Sequence, residues 1–281
     1  IGFGSISAVQ NRFFYYSEDS PDNILVSSTG VYRDPSAWYH CVVKCDSGTI
    51  TLYINGESVG SGSGGNPLDS STVRIGCWVG DNLFHDGYIS EVYFSDGTAY
   101  SASTFGETDS DSGIWKPKNA SITYGTHGFR MEFKQSGTGT DSSGIGADTS
   151  GNDNHFAVAN LTATDQTTDT PTNNFCTFNR VDTVSDITLS EGNTKATVGT
   201  THSMSRATMG VRNGKWYWEN YIVDGGAGAL VGAVGDSADI ALQLNANPSR
   251  LYRGQGTIYS NGSLSSGWSE YTADDIISVV Q

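Results

Sequence analysis

An all-β chain organised as two β-sandwich domains is the reading to which three features of the sequence lead. Glycine supplies 35 of the 281 residues, which implies many turns. Aromatic residues make up 11% and recur beside Val, Ile and Thr, the side chains that suit a pleated, half-buried surface. Short alternating runs are separated by Gly and Asn turn signals, and runs of helix formers are scarce. A length of 281 residues holds one large β domain or two smaller ones.

The elements follow in order. Arg12-Phe13-Phe14-Tyr15-Tyr16 is the first clear strand pattern, and Trp38-Tyr39-His40-Cys41-Val42-Val43-Lys44 is the next. Thr49-Ile50-Thr51-Leu52-Tyr53-Ile54 alternates cleanly and ends at Asn55-Gly56, the strongest short hairpin signal, so Glu57-Ser58-Val59 is the return strand. Ser61 to Pro67 reads as an exposed loop. Thr72-Val73-Arg74-Ile75-Gly76-Cys77 and Asp86 to Phe94 are predicted as further strands. Gly128 to Phe133 and His155 to Val158 are strands on either side of Gly137 to Asn154. That stretch has the composition of a connector or a long surface loop. In the last third, alternation over Gly214-Lys215-Trp216-Tyr217-Trp218-Glu219 puts Trp216 and Trp218 on one face and Lys215, Tyr217 and Glu219 on the other. Trp38, Trp216 and Trp218 lie inside strand patterns and are expected in the core, so Trp216→Ala is expected to unfold the second domain.

Charge and cysteines bound the function. The net charge is −15 and the pI is near 4.5, which argues against nucleic acid or an anionic membrane as partner. No apolar run approaches the length of a membrane span. Neither does a basic-then-apolar signal segment open the chain. Cys41 and Cys45, four apart in one strand, face the same way and are too far apart to pair. With Cys77 and Cys176 they read as buried free thiols, which leans towards assembly in a reducing cytoplasm. A bond from Cys41 or Cys45 to Cys77 stays open for a protein that matures outside the cell. Ile1-Gly2-Phe3 lacks an initiator Met, and residues 274–281 stop inside a strand pattern, so the chain reads as a piece of a longer polypeptide.

The stretch RDPSAWYHCVVKCDSGTITLYINGESV, with DGYISEVYFSDGTAYSASTFGETDSDSGIWKPK after it, resembles a laminin-G-like domain of the concanavalin A type. The resemblance covers residues 31 to 118 and is nearest to structural proteins of tailed bacterial viruses, marine ones especially. There the shared motif is a WYH strand, a YxNG hairpin, DGYxxEV, then FGE and GxWxPK. DTSGNDNHF and DQTTDTPTNNF resemble the segment that joins domains in those proteins. GKWYWE and GALVGAVG resemble a SPRY domain, another β-sandwich whose last strands would lie beyond Gln281. The resemblance therefore implies a concanavalin A/laminin-G-like jelly roll over residues 1–118, lacking its opening strands. It implies a Gly/Ser/Asp-rich connector with short strands over 119–173 and a SPRY-like sandwich over 174–281.

Few residues carry candidate chemistry. Glu107, Asp109 and Asp111 form E-x-D-x-D, but Thr108 and Ser110 stand where paired catalytic carboxylates on a strand need apolar neighbours, so this is loop chemistry. There is no G-x-S-x-G elbow, no H-x-x-x-H pair and no phosphate-binding glycine loop. Sugar binding needs an exposed ring with amide and carboxylate groups at a sandwich rim. Trp78 beside Asp81, Asn82 and His85 is the best local match, with a core position for Trp78 as the competing reading. For calcium, the oxygen-bearing candidates are Asp81 with Asn82 and Asp86, and Asp148 with Asn152 and Asp153. Turn formation by the same residues is the simpler account. No other cofactor is indicated.

Three functions compete, in this order. The first is a non-enzymatic virion protein of a bacterial virus, as the resemblance implies. It would be a fibre, appendage or decoration on the particle surface, contacting other virion structural proteins and host glycans, as a homo-oligomer such as a trimer. The second is a pair of carbohydrate-binding modules from a secreted bacterial protein or hydrolase. The third is a glucanase, for which no suitable carboxylate pair is present. Fold alone does not choose among them.

Overall fold

The computed structural model describes residues 2–4, 10–17, 24–34, 37–64, 73–77, 84–199, 203–211, 213–224, 229–240 and 248–280. Strand accounts for 38% and helix for 3%, so the all-β expectation holds. The chain divides into two compact units, Ile1–Asn174 and Phe175–Gln281.

The first unit opens with an antiparallel sheet of β1 (Gly2–Gly4), β2 (Arg12–Ser17) and β3 (Ile24–Ser27). A second antiparallel sheet holds β4 (Cys41–Asp46), β5 (Thr49–Ile54) and β6 (Glu57–Ser63). Alternation decides which side chains are inside. Phe13 and Tyr15 from β2, Val26 from β3, and Ile50, Leu52 and Ile54 from β5 form one buried cluster. Cys41, Val43 and Cys45 pack against it from β4, so the two cysteines do face the same way; all four cysteines are free thiols, but Cys41, Cys45 and Cys77 are half-buried and Cys176 is exposed rather than buried. Burial pushes the Cys41 thiol up to about 12. The two sheets approach where β6 carries Gly60 and Gly62. A Cβ at Gly62 would stand 2.8 Å from the Val26 side chain, and one at Gly60 would run into the Ser27 carbonyl. Both turns of the second sheet are tight: Ser47-Gly48 and Asn55-Gly56 all have positive φ, as two-residue hairpins require.

The rest of this unit is shorter in strand and denser in loops. β7 (Val92–Phe94) precedes a single helical turn, α1 (Ala102–Phe105), and β8 (Gly106–Thr108) and β9 (Trp115–Pro117) pair with each other. β10 (Phe129–Met131) pairs with β7. Three strand predictions differ from this. Residues 155–158 are coil, with the Phe156 N–H donating to the Gly146 carbonyl at 2.8 Å. Val73 to Cys77 is coil and bends, and of the stretch to Phe94 only the last three residues are strand, because Glu91 takes a positive φ of 47° that breaks the extended run. Residues 119–173, read from composition as a connector, fall within the first unit. Ile145 and Ala147 are buried there, and Phe156 stacks edge-on against Phe129 at 4.8 Å.

The second unit pairs β11 (Phe178–Thr183) with β14 (Ser205–Ala207), and β12 (Ile187–Ser190) with β13 (Lys195–Val198). β15 (Tyr217–Tyr221) lies antiparallel to β20 (Ile276–Val280). The meander β16 (Leu230–Val234), β17 (Ser249–Arg253), β18 (Thr257–Ser260) and β19 (Ser263–Ser266) completes it. Arg206 grips both carboxylate oxygens of Asp182 and donates to the carbonyls of Gly235 and Asp236, so one side chain ties three segments together. Tyr271 is buried, and its hydroxyl donates to the carbonyls of Ala229 (2.6 Å) and Tyr252 (3.0 Å). One core expectation is overturned. Trp216 lies before the first residue of β15, is 46% exposed, and gives its indole N–H to the Asn213 carbonyl at 2.8 Å. The strand starts at Tyr217, three residues after the start of the alternating stretch at Gly214, so of the two tryptophans Trp218 alone takes the half-buried side.

Candidate functional site

Of the residues expected at a sugar-binding rim, Trp78, Asp81 and Asn82 lie outside the described residues. His85 and Asp86 are described, and both are exposed. The backbone N–H of His85 donates to the Gly76 carbonyl at 2.7 Å, which anchors the start of the segment. Its imidazole rests over Gly87, where a Cβ would come within 2.9 Å of Nε2. Around these two residues the segment is unusually apolar for exposed coil: Phe84 is 70% exposed, and Tyr88 and Ile89 are exposed as well. An exposed ring followed in the chain by His and Asp offers the residue types sought at Trp78. Phe84 and Tyr88 were not singled out from the sequence. The signal was there, in large apolar side chains set among Gly, Asn and Asp without strand alternation.

Asp148 and Asn152 are placed quite differently from an open cation site. The Asp148 carboxylate is buried and accepts hydrogen bonds from the N–H groups of Arg130 (2.8 Å), Ser150 (2.8 Å) and Asn154 (3.0 Å), and from the Ser150 hydroxyl (2.9 Å). Burial alone would raise its pKa, but these donors outweigh it and hold the carboxyl below its ordinary value. Asn152 Nδ2 donates to the carbonyls of Gly125 (2.6 Å) and Gly128 (2.9 Å), and Asn154 Nδ2 donates to Gly128 (2.9 Å) and Thr126 (3.2 Å). The Asp148 N–H in turn donates to His155 Nδ1 at 3.0 Å. The run Asp148 to His155 is therefore a staple that closes a long loop onto β10. The oxygens a hard cation would need from Asp148 already face N–H donors. Among the described residues, no three His, Cys, Asp or Glu side chains converge as a metal-holding group.

Of the acids of E-x-D-x-D, Asp109 has a structural duty. Asp109 Oδ1 accepts from the N–H groups of Asp111 (3.1 Å) and Ser112 (3.0 Å) and from the Ser112 hydroxyl (3.0 Å). Its other oxygen meets Lys116 Nζ at 2.8 Å. Lys116, followed by these turn donors, drives the carboxyl well below the usual range. A general acid needs the opposite shift. Glu107 points outward from β8, 3.9 Å from Lys118 Nζ.

The WYH, YING and GIWKPK motifs meet in one clasp. Trp115 Nε1 donates to His40 Nδ1 at 3.1 Å, with the two rings 5.9 Å apart. The Trp115 ring covers Gly56 of the hairpin and Gly106 of β8. A Cβ at Gly106 would stand 2.6 Å from the indole, and one at Gly56 would collide with it. Asn55 completes the join by accepting the His40 N–H on Oδ1 and giving its own N–H to the His40 carbonyl, both at 2.8 Å. Burial lowers the His40 pKa, which keeps the imidazole neutral and Nδ1 free to accept. Trp38, next to this strand, gives its indole N–H to Asp169 at 3.0 Å and so fastens the later loop to the sheet.

Comparison with known proteins agrees with this architecture. Residues 2–104 match the family model described as the concanavalin A-like lectin/glucanases superfamily, of the laminin G type. No curated protein and no solved structure matches the chain.

Proposed function

We propose that this chain, with its concanavalin A-like domain over residues 2–104, is a non-enzymatic structural protein of a tailed bacterial virus. It is displayed on the virion as a fibre, appendage or decoration and attaches to host-surface glycans. The observation that carries the binding role is the exposed Phe84-His85-Asp86 segment with Tyr88 beside it, on a domain of lectin type. The virion setting rests on the resemblance of residues 31 to 118, and of the segment after them, to structural proteins of such viruses. Four free thiols suit a protein assembled in a reducing cytoplasm before release. The second unit is read as SPRY-like from GKWYWE, which enters β15, and GALVGAVG, which becomes β16. Repeated copies, as in a trimer assembled with other virion proteins, would turn weak single contacts into firm attachment.

A second reading is a carbohydrate-binding module pair of a secreted bacterial protein. The lectin/glucanase match favours it, and it would use the same segment. Labelling purified virus particles with an antibody against this chain, viewed by electron microscopy, separates the two. Label on the particle surface supports the virion reading. Label only in host culture supernatant, with clean particles, sinks it. A glycan array with wild-type protein and Phe84→Ala tests the binding role: the variant is expected to lose signal while keeping its melting temperature.

A further inference from the structure

We infer that the outer face of the β15–β20 pair in the second unit is a second glycan site, a flat platform for a neutral polysaccharide chain. The inference rests on the glycan-binding reading above and assigns that activity a second location and a ligand class. Register places Tyr217 opposite Val280, Glu219 opposite Ser278 and Tyr221 opposite Ile276. These six side chains share one face, because alternate residues point the same way. Tyr217, Tyr221, Ile276 and Val280 are each more than half exposed. Trp218, Asn220, Ile277 and Val279 take the other face and are half buried, so the pair has a definite inside and outside.

The polar groups select the occupant. Tyr217 donates its hydroxyl to Glu219 Oε1 and lies 3.2 Å from Ser278 Oγ. Tyr221 donates to Asp274 Oδ1 at 2.6 Å. Each ring is thus fixed beside a carboxylate that retains lone pairs for further donors. Sugar hydroxyls supply donors, and the C–H faces of equatorially substituted pyranoses supply flat apolar surface for the rings. Two tyrosines four residues apart on a strand stand about 13 Å from each other, a span for an oligosaccharide longer than a disaccharide. None of the six face residues is basic, and Glu219 and Asp274 have no ion pair among the described residues. An anionic glycan is therefore repelled. A second copy of the chain fits less well, since a two-fold contact would bring carboxylates together without a cation between them.

The test is native electrophoresis of the full chain through gels containing mixed-linkage β-glucan, with alginate as the anionic control. Wild type is expected to be retarded by β-glucan and not by alginate. Tyr217→Ala/Tyr221→Ala is expected to weaken the apparent affinity by about tenfold or more. Tyr217→Phe/Tyr221→Phe keeps the rings and is expected to retain most of the retardation, which separates lost stacking from lost folding. Equal retardation of wild type and the alanine pair overturns this platform while leaving glycan binding by the first unit intact. Retardation by alginate alone overturns the neutral-ligand assignment. Retardation by neither polymer, together with a blank glycan array, overturns both readings. A concentration-dependent dimer in ultracentrifugation that the alanine pair abolishes assigns the face to self-association and also overturns the proposal.

Discussion

Trp115 shows how a single side chain can require particular neighbours. Its ring fills the space above Gly56 and Gly106, and Gly56 is in addition at a φ of 83°. Gly56→Ala is expected to cost about 1–3 kcal/mol in urea unfolding, from backbone strain and from displacement of the ring. His40 adds a pH dependence. Burial holds its pKa below the ordinary 6.5, so between the two values the unfolded chain binds the proton more readily than the folded one. The stability this neutral imidazole supports is full above pH 6.5 and is lost as pH falls through the folded value. The urea midpoint of the first unit is therefore expected to be lower at pH 5 than at pH 7.5. His40→Gln should flatten that slope, and an unchanged slope would refute the assignment. The cysteines differ in the same local way. Cys41 is packed against the core with its thiol pushed up to about 12, while Cys176 is exposed. Alkylation at pH 8 followed by mass spectrometry should modify Cys176 first and Cys41 last. Trp216→Ala, expected from the sequence to unfold the second unit, is now expected to shift stability by about 1 kcal/mol or less, because the ring is half exposed.

At the scale of elements, strands with regular alternation were legible and loops with private hydrogen-bond systems were not. The β5–β6 hairpin follows from its sequence because alternation and Asn-Gly agree. The run from Asp148 to His155 reads from composition as solvated loop, yet it carries a buried carboxylate with four donors. Composition counts residue types and does not register which N–H groups a fold must satisfy. Asp148→Ala leaves the Arg130, Ser150 and Asn154 N–H groups without their acceptor. Its expected cost is about 2–4 kcal/mol in chemical denaturation, large for a residue in a Gly-rich loop. Val73 to Cys77 errs the other way. Its residues suit a strand, but Gly76 has a φ of 86° and the segment bends.

For the whole molecule, the division after Asn174 makes a concrete expectation. Residues 172–176 are exposed, and Phe175 is among them. Limited digestion with chymotrypsin is expected to cut after Phe175 and give two fragments that resist further cleavage, read by mass spectrometry. A first cut inside residues 119–173 would contradict the placement of that segment within the first unit. The charge of −15 acts at this scale too. It makes copies of the chain repel one another in solution, and it disfavours anionic partners.

The sequence by itself determined the all-β class, the alternating core strands of the first sheets and the acidic net charge. All three depend on period, composition and net charge, which are properties of the chain read in order. Tertiary structure alone decided that Trp115 sits on a hairpin glycine, that Asp148 closes a loop rather than standing open, and that Trp216 stands before β15 with its ring half exposed. Those outcomes depend on which distant segments come within hydrogen-bond or van der Waals reach, and a packing contact between residues 56 and 115 leaves no periodic mark on either stretch.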